Sequence, residues 1–159
     1  MSAYSLRPAV AADAGAVARV WRDGWRDGHL GHVPQSLVNA RTPESFEERA
    51  ARRVADTTVA VAGDEVAGFV MVVGDEVEQV YVAAAHRGSG VAALLLAESE
   101  RLVAAAGHRL AWLAVASGNA RARRFYERCG WSDDGAFDYK ASVPGGTVSV
   151  PCHRYVKLV

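Results

Sequence analysis

The stretch from Glu76 to Val115 constrains the fold of this chain more than any other. Glu76 to Val82 is patterned as a strand, His86 to Gly90 is a glycine-bearing loop, and Val91 to about Ala106 has helical periodicity. Arg109 to Val115 is then a mostly apolar strand, as expected inside a sheet. A strand that returns through a helix to the same sheet lies parallel to its predecessor, with a right-handed crossover. On the helix, Val91, Leu94, Leu95 and Leu102 fall on one side while Glu98 and Arg101 pair on the other, and Gly107 closes it.

The flanking segments fit around that unit. Tyr4 to Arg7 reads as a short strand ending at Pro8. Asp13 is placed to cap a helix through Val17, Val20 and Trp21, which Gly24, Gly28 and Gly31 are expected to loosen. Pro34 and Pro43 each suit a helix start, the second helix covering Glu44 to Val54. Thr58 to Ala62 and Val66 to Val73 form a hairpin across Gly63-Asp64, and Gly74-Asp75 turns into the strand at Glu76. Ser117 to Asn119 supplies cap chemistry for a short helix ending at Gly130, and two strands follow, the last over Val148 to Val159. The expected architecture is α/β: one domain over 1–159, with a central mixed sheet of about six to seven strands and helices on both faces.

Charge narrows the function. Lys plus Arg equals Asp plus Glu at 18 each, which lacks the basic excess of a nucleic-acid binder. No apolar run is long enough for a bilayer, and Met1 to Pro8 lacks a signal-peptide core. Cys129 and Cys152 fit neither a metal spacing nor a disulfide framework, so free thiols in a reducing cytoplasm are expected, with Cys129 on a buried helix face.

The loop Arg87-Gly88-Ser89-Gly90-Val91-Ala92 carries the chemistry. Glycines between a strand and a helix let several N–H groups face one point, and the helix adds unbonded donors and its positive dipole end. The pattern fits a pyrophosphate site or a plain strand-to-helix turn. It lacks the Gly-Lys-Ser/Thr ending of a P-loop and the third glycine of the dinucleotide fingerprint.

These residues resemble the GNAT family of acyl-CoA-dependent N-acyltransferases. The family motif is Arg or Gln, two residues, Gly, one residue, then Gly or Ala, and Arg87, Gly90 and Ala92 match it. A second segment, Asn119 through Phe125-Tyr126-Glu127-Arg128-Cys129-Gly130-Trp131, is similar to the family's Asn followed by Phe-Tyr, three residues, Gly and an aromatic. Trp21, Trp25, His29, Gly31 and Pro34 resemble a spacing common in small bacterial members.

The resemblance implies a GNAT fold and an acetyl-CoA-dependent transfer of acetyl, or another acyl group, to a primary amine, with no metal and no covalent enzyme intermediate. It implies that the fourth strand splays from the fifth and that the coenzyme's pantetheine arm lies between them. The backbone from Val80 through Tyr81 to Val82 would then hold the arm, Arg87 to Ala92 the pyrophosphate, and Asn119 and Phe125 would complete the coenzyme site. Tyr126 would protonate the departing thiolate, and Glu76 or Glu78, which share a strand face by alternation, would accept the amine's proton. Trp21, Trp25, His29 and His32 would line the acceptor pocket. Each role has a plain counterpart: a core tyrosine, solvated glutamates, a helix cap at Asn119, and packed aromatics. Arg121, Arg123, Arg124 and Arg128 read as the wet face of their helix or as contacts to the coenzyme's 3′-phosphate, and His86 as exposed. The competing class is a non-catalytic acyl-CoA sensor on the same fold. The acceptor stays open among aminoglycoside, polyamine, amino acid, peptide N-terminus and lysine, and a homodimer is expected on family frequency alone.

Overall fold

The computed structural model describes residues 3–159. Its strands are β1 (Ser5–Pro8), β2 (Thr57–Ala62), β3 (Glu65–Val73), β4 (Glu76–Val82), β5 (Leu110–Ala116), β6 (Ser132–Val143) and β7 (Gly146–Leu158). They form one seven-stranded sheet in the order β1-β2-β3-β4-β5-β7-β6. Every neighbouring pair is antiparallel except β4–β5, which is parallel, as the crossover from Glu76 to Val115 requires.

The helices are α1 (Ala14–His29), α2 (Gln35–Ala40), α3 (Pro43–Arg52), α4 (Val91–Ala105) and α5 (Ala120–Arg128). They divide the core in two, one on each sheet face. Val17, Trp21, Trp25, Leu37 and Phe46 from the first three helices pack on Val59, Phe69 and Met71 of the sheet. On the other face Val91, Leu95, Leu96 and Val103 of α4 meet Val70, Val77, Leu113 and Tyr155. Burying these apolar faces is the main force holding helices to sheet, at about 25 cal/mol per Å² removed from water.

Four details differ from the sequence reading. The inward stripe of α4 is Val91, Leu95, Leu96, Ser99 and Val103, with Leu94 turned outward at 36% exposure. Asp13 does not cap α1. Its carboxylate accepts from the Val10 N–H (2.8 Å) and pairs with Arg7 (2.7 Å), fastening the preceding turn to β1. Cys129 is half-buried rather than buried. Glycine does not loosen α1 either, because the helix runs unbroken through Gly24 and Gly28.

Those two glycines instead permit close approach. A Cβ at Gly24 would collide with the Tyr81 ring on β4, and one at Gly28 would lie 2.9 Å from Asn119 Nδ2. Just past α1, His32 sits over Gly118, where a Cβ would also collide. Between them the glycines let α1 and the loop after it lie across β4 and the β5–α5 connection.

Candidate active site

The sheet opens where its one parallel pair begins. Pairing between β4 and β5 consists of Glu76 opposite Trp112, with Trp112 N–H donating to the Asp75 carbonyl at 3.0 Å. The indole of Trp112 reinforces this anchor by donating to Asp75 Oδ1 (3.1 Å). Beyond it the two strands separate.

The backbone facing the opening follows from alternation. Ala83 N–H donates to Ala67 O (2.8 Å), so Tyr81 and Gln79 turn their peptide groups to β3, while Val80 and Val82 turn theirs toward β5. On the far wall, Ser117 N–H donates to Pro151 O (3.0 Å), which leaves Ala114 and Ala116 facing β4. A register shift adds to the divergence. Met71 opposes Gln79 and Val72 opposes Val77, so Glu78 is an extra, unpaired residue on β4. The bulge resets the alternation, placing Val77, Val80 and Val82 together against the α4 core.

A cleft of about 720 Å³ opens along this gap. Of the residues singled out in the sequence, Trp25, His29, Glu76, Glu78, Val80, Tyr81, Asn119 and Tyr126 line it. Trp21 does not. It is 0% exposed, packed edge-on against Phe46 and Phe69, because α1 turns it into the core one turn before Trp25. His32 is also outside the lining, held over Gly118. Val82, Phe125 and the loop Arg87 to Ala92 lie beyond the cleft walls. Phe125 packs against Tyr126 (5.4 Å between ring centroids) and the core behind it.

The glycine-bearing loop has the anticipated backbone. Gly88 (φ 76°) and Gly90 (φ 87°) both take left-handed conformations, and Gly90 is the residue before α4. Ser89 Oγ donates to the His86 carbonyl, tightening the loop. The Val91 and Ala92 N–H groups are among the first four of α4, which have no intrahelical acceptor. Arg87 reaches back to α1 and pairs with Asp27 (2.6 Å). His86 is half-buried rather than exposed, its Nδ1 3.0 Å from the Tyr4 hydroxyl.

The two glutamates have different surroundings. Glu78 is engaged by Arg53 through a bidentate pair at 2.8 and 3.0 Å. Glu76 accepts one bond from the Tyr139 hydroxyl (2.9 Å), and burial raises its carboxyl above the ordinary carboxylate value, with Glu78 and Asp75 adding to the rise. Tyr139, on β6, is a site residue the sequence did not reveal, because its reach to Glu76 spans 63 positions.

Tyr126 lines the same cleft. Burial pushes its phenol up to about 12, with Cys129 nearby adding to the shift, and it lies close enough to raise the Tyr81 hydroxyl as well. Asn119 does two things at once. Its Oδ1 accepts from Ala122 N–H (3.2 Å), capping α5, and its amide nitrogen points to Gly28 on the cleft wall. His29 stacks flat on Trp25 (4.7 Å, 8°), and its Nδ1 sits 2.9 Å from the Trp25 carbonyl. Burial lowers its pKa to about 4, so it is a neutral ring at neutral pH.

Neither thiol is activated: burial raises both, Cys152 to about 11. Arg121, Arg124 and Arg128 are exposed on α5, whereas Arg123 bonds the Tyr155 hydroxyl (3.2 Å) and the Ser117 carbonyl (3.1 Å). Among the described residues no group of His, Cys, Asp and Glu is arranged to hold a metal ion, and no helix is long and apolar enough to cross a membrane.

A sheet opened at one parallel pair, with a glycine-bearing loop at the helix start beside it, defines an acyltransferase scaffold. The profile of the acetyltransferase (GNAT) family matches residues 19–131, and the chain belongs to that family. The fold agrees. A GCN5-related N-acetyltransferase from Rhodopseudomonas palustris is similar with a TM-score of 0.80 at 22% identity, covering 100% of this chain and 98% of that one. PaiA N-acetyltransferase from Thermoplasma acidophilum, solved with coenzyme A, gives 0.72 at 17% identity over 100% of both chains. YncA from Salmonella typhimurium, solved with acetyl-CoA, gives 0.69 at 18% identity over 98% and 93%. A comparison with curated protein sequences finds no match.

Proposed function

We propose that this protein transfers an acetyl group from acetyl-CoA to a primary amine by direct attack. The observation carrying the reading is the opened β4–β5 pair, whose facing backbone at Val80 and Val82 offers the arm of a coenzyme the hydrogen bonds of an absent strand. Pantetheine has amide groups that can use such a wall, and the Gly88–Val91 loop suits the diphosphate.

The thioester supplies an acyl carbon and a thiol leaving group. An alkyl ammonium has no lone pair, so the acceptor must first lose a proton. Glu76 takes this role, directly or through one water, because burial has made it a stronger base and because, unlike Glu78, it is not bound to an arginine. The amine nitrogen then bonds to the carbonyl carbon, whose oxygen is held by strand N–H groups. The C–S bond breaks, and Tyr126 gives its proton to the departing thiolate. Its high pKa suits a donor that stays protonated throughout the neutral range.

On this reading Trp25 and His29, which line the cleft, contact the acceptor, and Asn119 bonds the coenzyme arm from the β5 side. The presence of Tyr126 and Glu76 on the same cleft favours an enzyme over an acyl-CoA sensor.

Calorimetric titration with acetyl-CoA tests the reading. Saturable heat is expected, with a melting temperature that rises with coenzyme concentration by mass action. Neither response at millimolar coenzyme would remove the proposal. Release of free thiol only when an amine is added separates the enzyme from the sensor.

A further inference from the structure

The proposed chemistry leaves one part of the cleft unexplained. Arg41, just after α2, and Arg49, on α3, both line it, and neither makes an ion pair among the described residues. Arg41 Nε and one terminal nitrogen of Arg49 are buried without a hydrogen-bond partner. The Arg49 guanidinium lies 4.1 Å over the Trp21 ring and 5.5 Å from that of Phe46, which fixes its plane without satisfying its donors. The two cations also oppose each other, and burial with this repulsion lowers Arg49 to about 10.

Buried guanidinium groups are costly unless an anion meets them. None of the carboxylates in the cleft lining forms an ion pair with Arg41 or Arg49. That lining has the cations Arg41, Arg49, Arg52, Arg53 and Lys140 against the carboxylates Glu48, Glu76 and Glu78, five against three. Glu78 is held by Arg53 and reaches Arg49 only as a through-space attraction, Glu76 accepts from Tyr139, and Glu48 is exposed. The coenzyme's diphosphate belongs to the loop before α4, beyond the cleft walls, so it does not answer the charge at α3.

We infer that the acceptor carries an oxyanion as well as its amine, a small molecule of the amino-acid class whose carboxylate is received by Arg41 and Arg49. The inference rests on the acyl-transfer reading above. It removes polyamines and other polycations from the candidate acceptors, since two guanidinium groups without an ion-pair partner repel them. Planar guanidinium donors match a carboxylate two bonds at a time, which orients the acceptor as well as attracting it.

The test follows thiol release from acetyl-CoA with amino acids, their carboxamides, aminoalkylphosphonates of equal length, and polyamines. The best carboxylate or phosphonate acceptor is expected to exceed its uncharged counterpart by at least about 10-fold in kcat/KM. Arg41→Gln is expected to raise KM for that acceptor about 10-fold and to narrow the gap between acid and amide, while the Kd for acetyl-CoA is unchanged. Arg49→Lys, which keeps the charge and loses the fork, checks the second site without emptying the space over Trp21; it too should narrow the gap. A preference for polyamines or amides, or a panel in which no anionic amine outpaces its amide, would overturn the inference while coenzyme binding still stood. Absence of coenzyme binding would instead strike the acyl-transfer reading itself.

Discussion

Tyr126→Phe is expected to lower kcat by roughly 10²- to 10⁴-fold, the usual range for loss of a general acid, with the Kd for acetyl-CoA almost unchanged. The residue's position explains the split. Its ring is held by Phe125, Trp131 and Tyr155 at centroid distances of 5.4, 6.5 and 6.1 Å, contacts that phenylalanine keeps. Only the hydroxyl on the cleft is lost. How easily a thiolate leaves is set by the basicity of its thiol, pKa about 8.5, and not by bulk pH, and a proton delivered at sulfur as the C–S bond breaks eases that departure. Because a phenol pushed up to about 12 stays protonated at neutrality, the deficit of the variant should stay constant across the neutral range. Stopped-flow thiol detection with matched calorimetry measures both quantities, and turnover equal to wild type would reassign the proton donor.

Glu76→Gln is expected to cost about 10²-fold in kcat/KM at neutral pH, and it carries a pH signature. Burial raises the Glu76 carboxyl, and the bond donated by Tyr139 opposes that rise by favouring the charged form. The base works only when ionised, so kcat/KM in the wild type should climb with pH through an ionisation above the ordinary carboxylate range. Tyr139→Phe removes the opposing bond, so the pKa of Glu76 goes up further and the climbing limb moves to higher pH. The limb should vanish in Glu76→Gln. Tyr126, pushed up to about 12, contributes no falling limb below about pH 11. Glu78→Gln releases Arg53 instead of a base. An acid limb that disappears in Glu78→Gln and survives in Glu76→Gln would exchange the two assignments.

Local patterns made most of the fold legible. The crossover from Glu76 to Val115 requires a parallel β4–β5 pair, and turn glycines at 63, 74 and 107 mark element ends, each with positive φ. Positive φ is also the reason Gly88 and Gly90 could be read as a loop of converging N–H groups. What escaped were features set by tertiary contact. Gly24 and Gly28 look like helix breakers in a linear string, yet their role is to admit Tyr81 and Asn119. Trp21 and Trp25 look equivalent by spacing and both are buried in the core, yet only Trp25, one turn further along α1, reaches the cleft wall. Glu76 and Glu78 share a face by alternation, but only the fold shows that Arg53 takes one of them. Arg41, Arg49 and Tyr139 had no signal at all. An arginine without an acid partner is defined by what surrounds it, and nothing in sequence order brings those surroundings together.

The central claim is that the coenzyme's arm completes the sheet between β4 and β5, and amide hydrogen exchange reads this directly. In the free protein the Val80 and Val82 amides face the opening and should exchange faster than those of Gln79 and Tyr81, which are committed to β3. Saturating coenzyme A is expected to slow Val80 and Val82 strongly, together with the amides at the start of α4. Bound coenzyme that leaves both valine amides exchanging at the free rate would contradict the account.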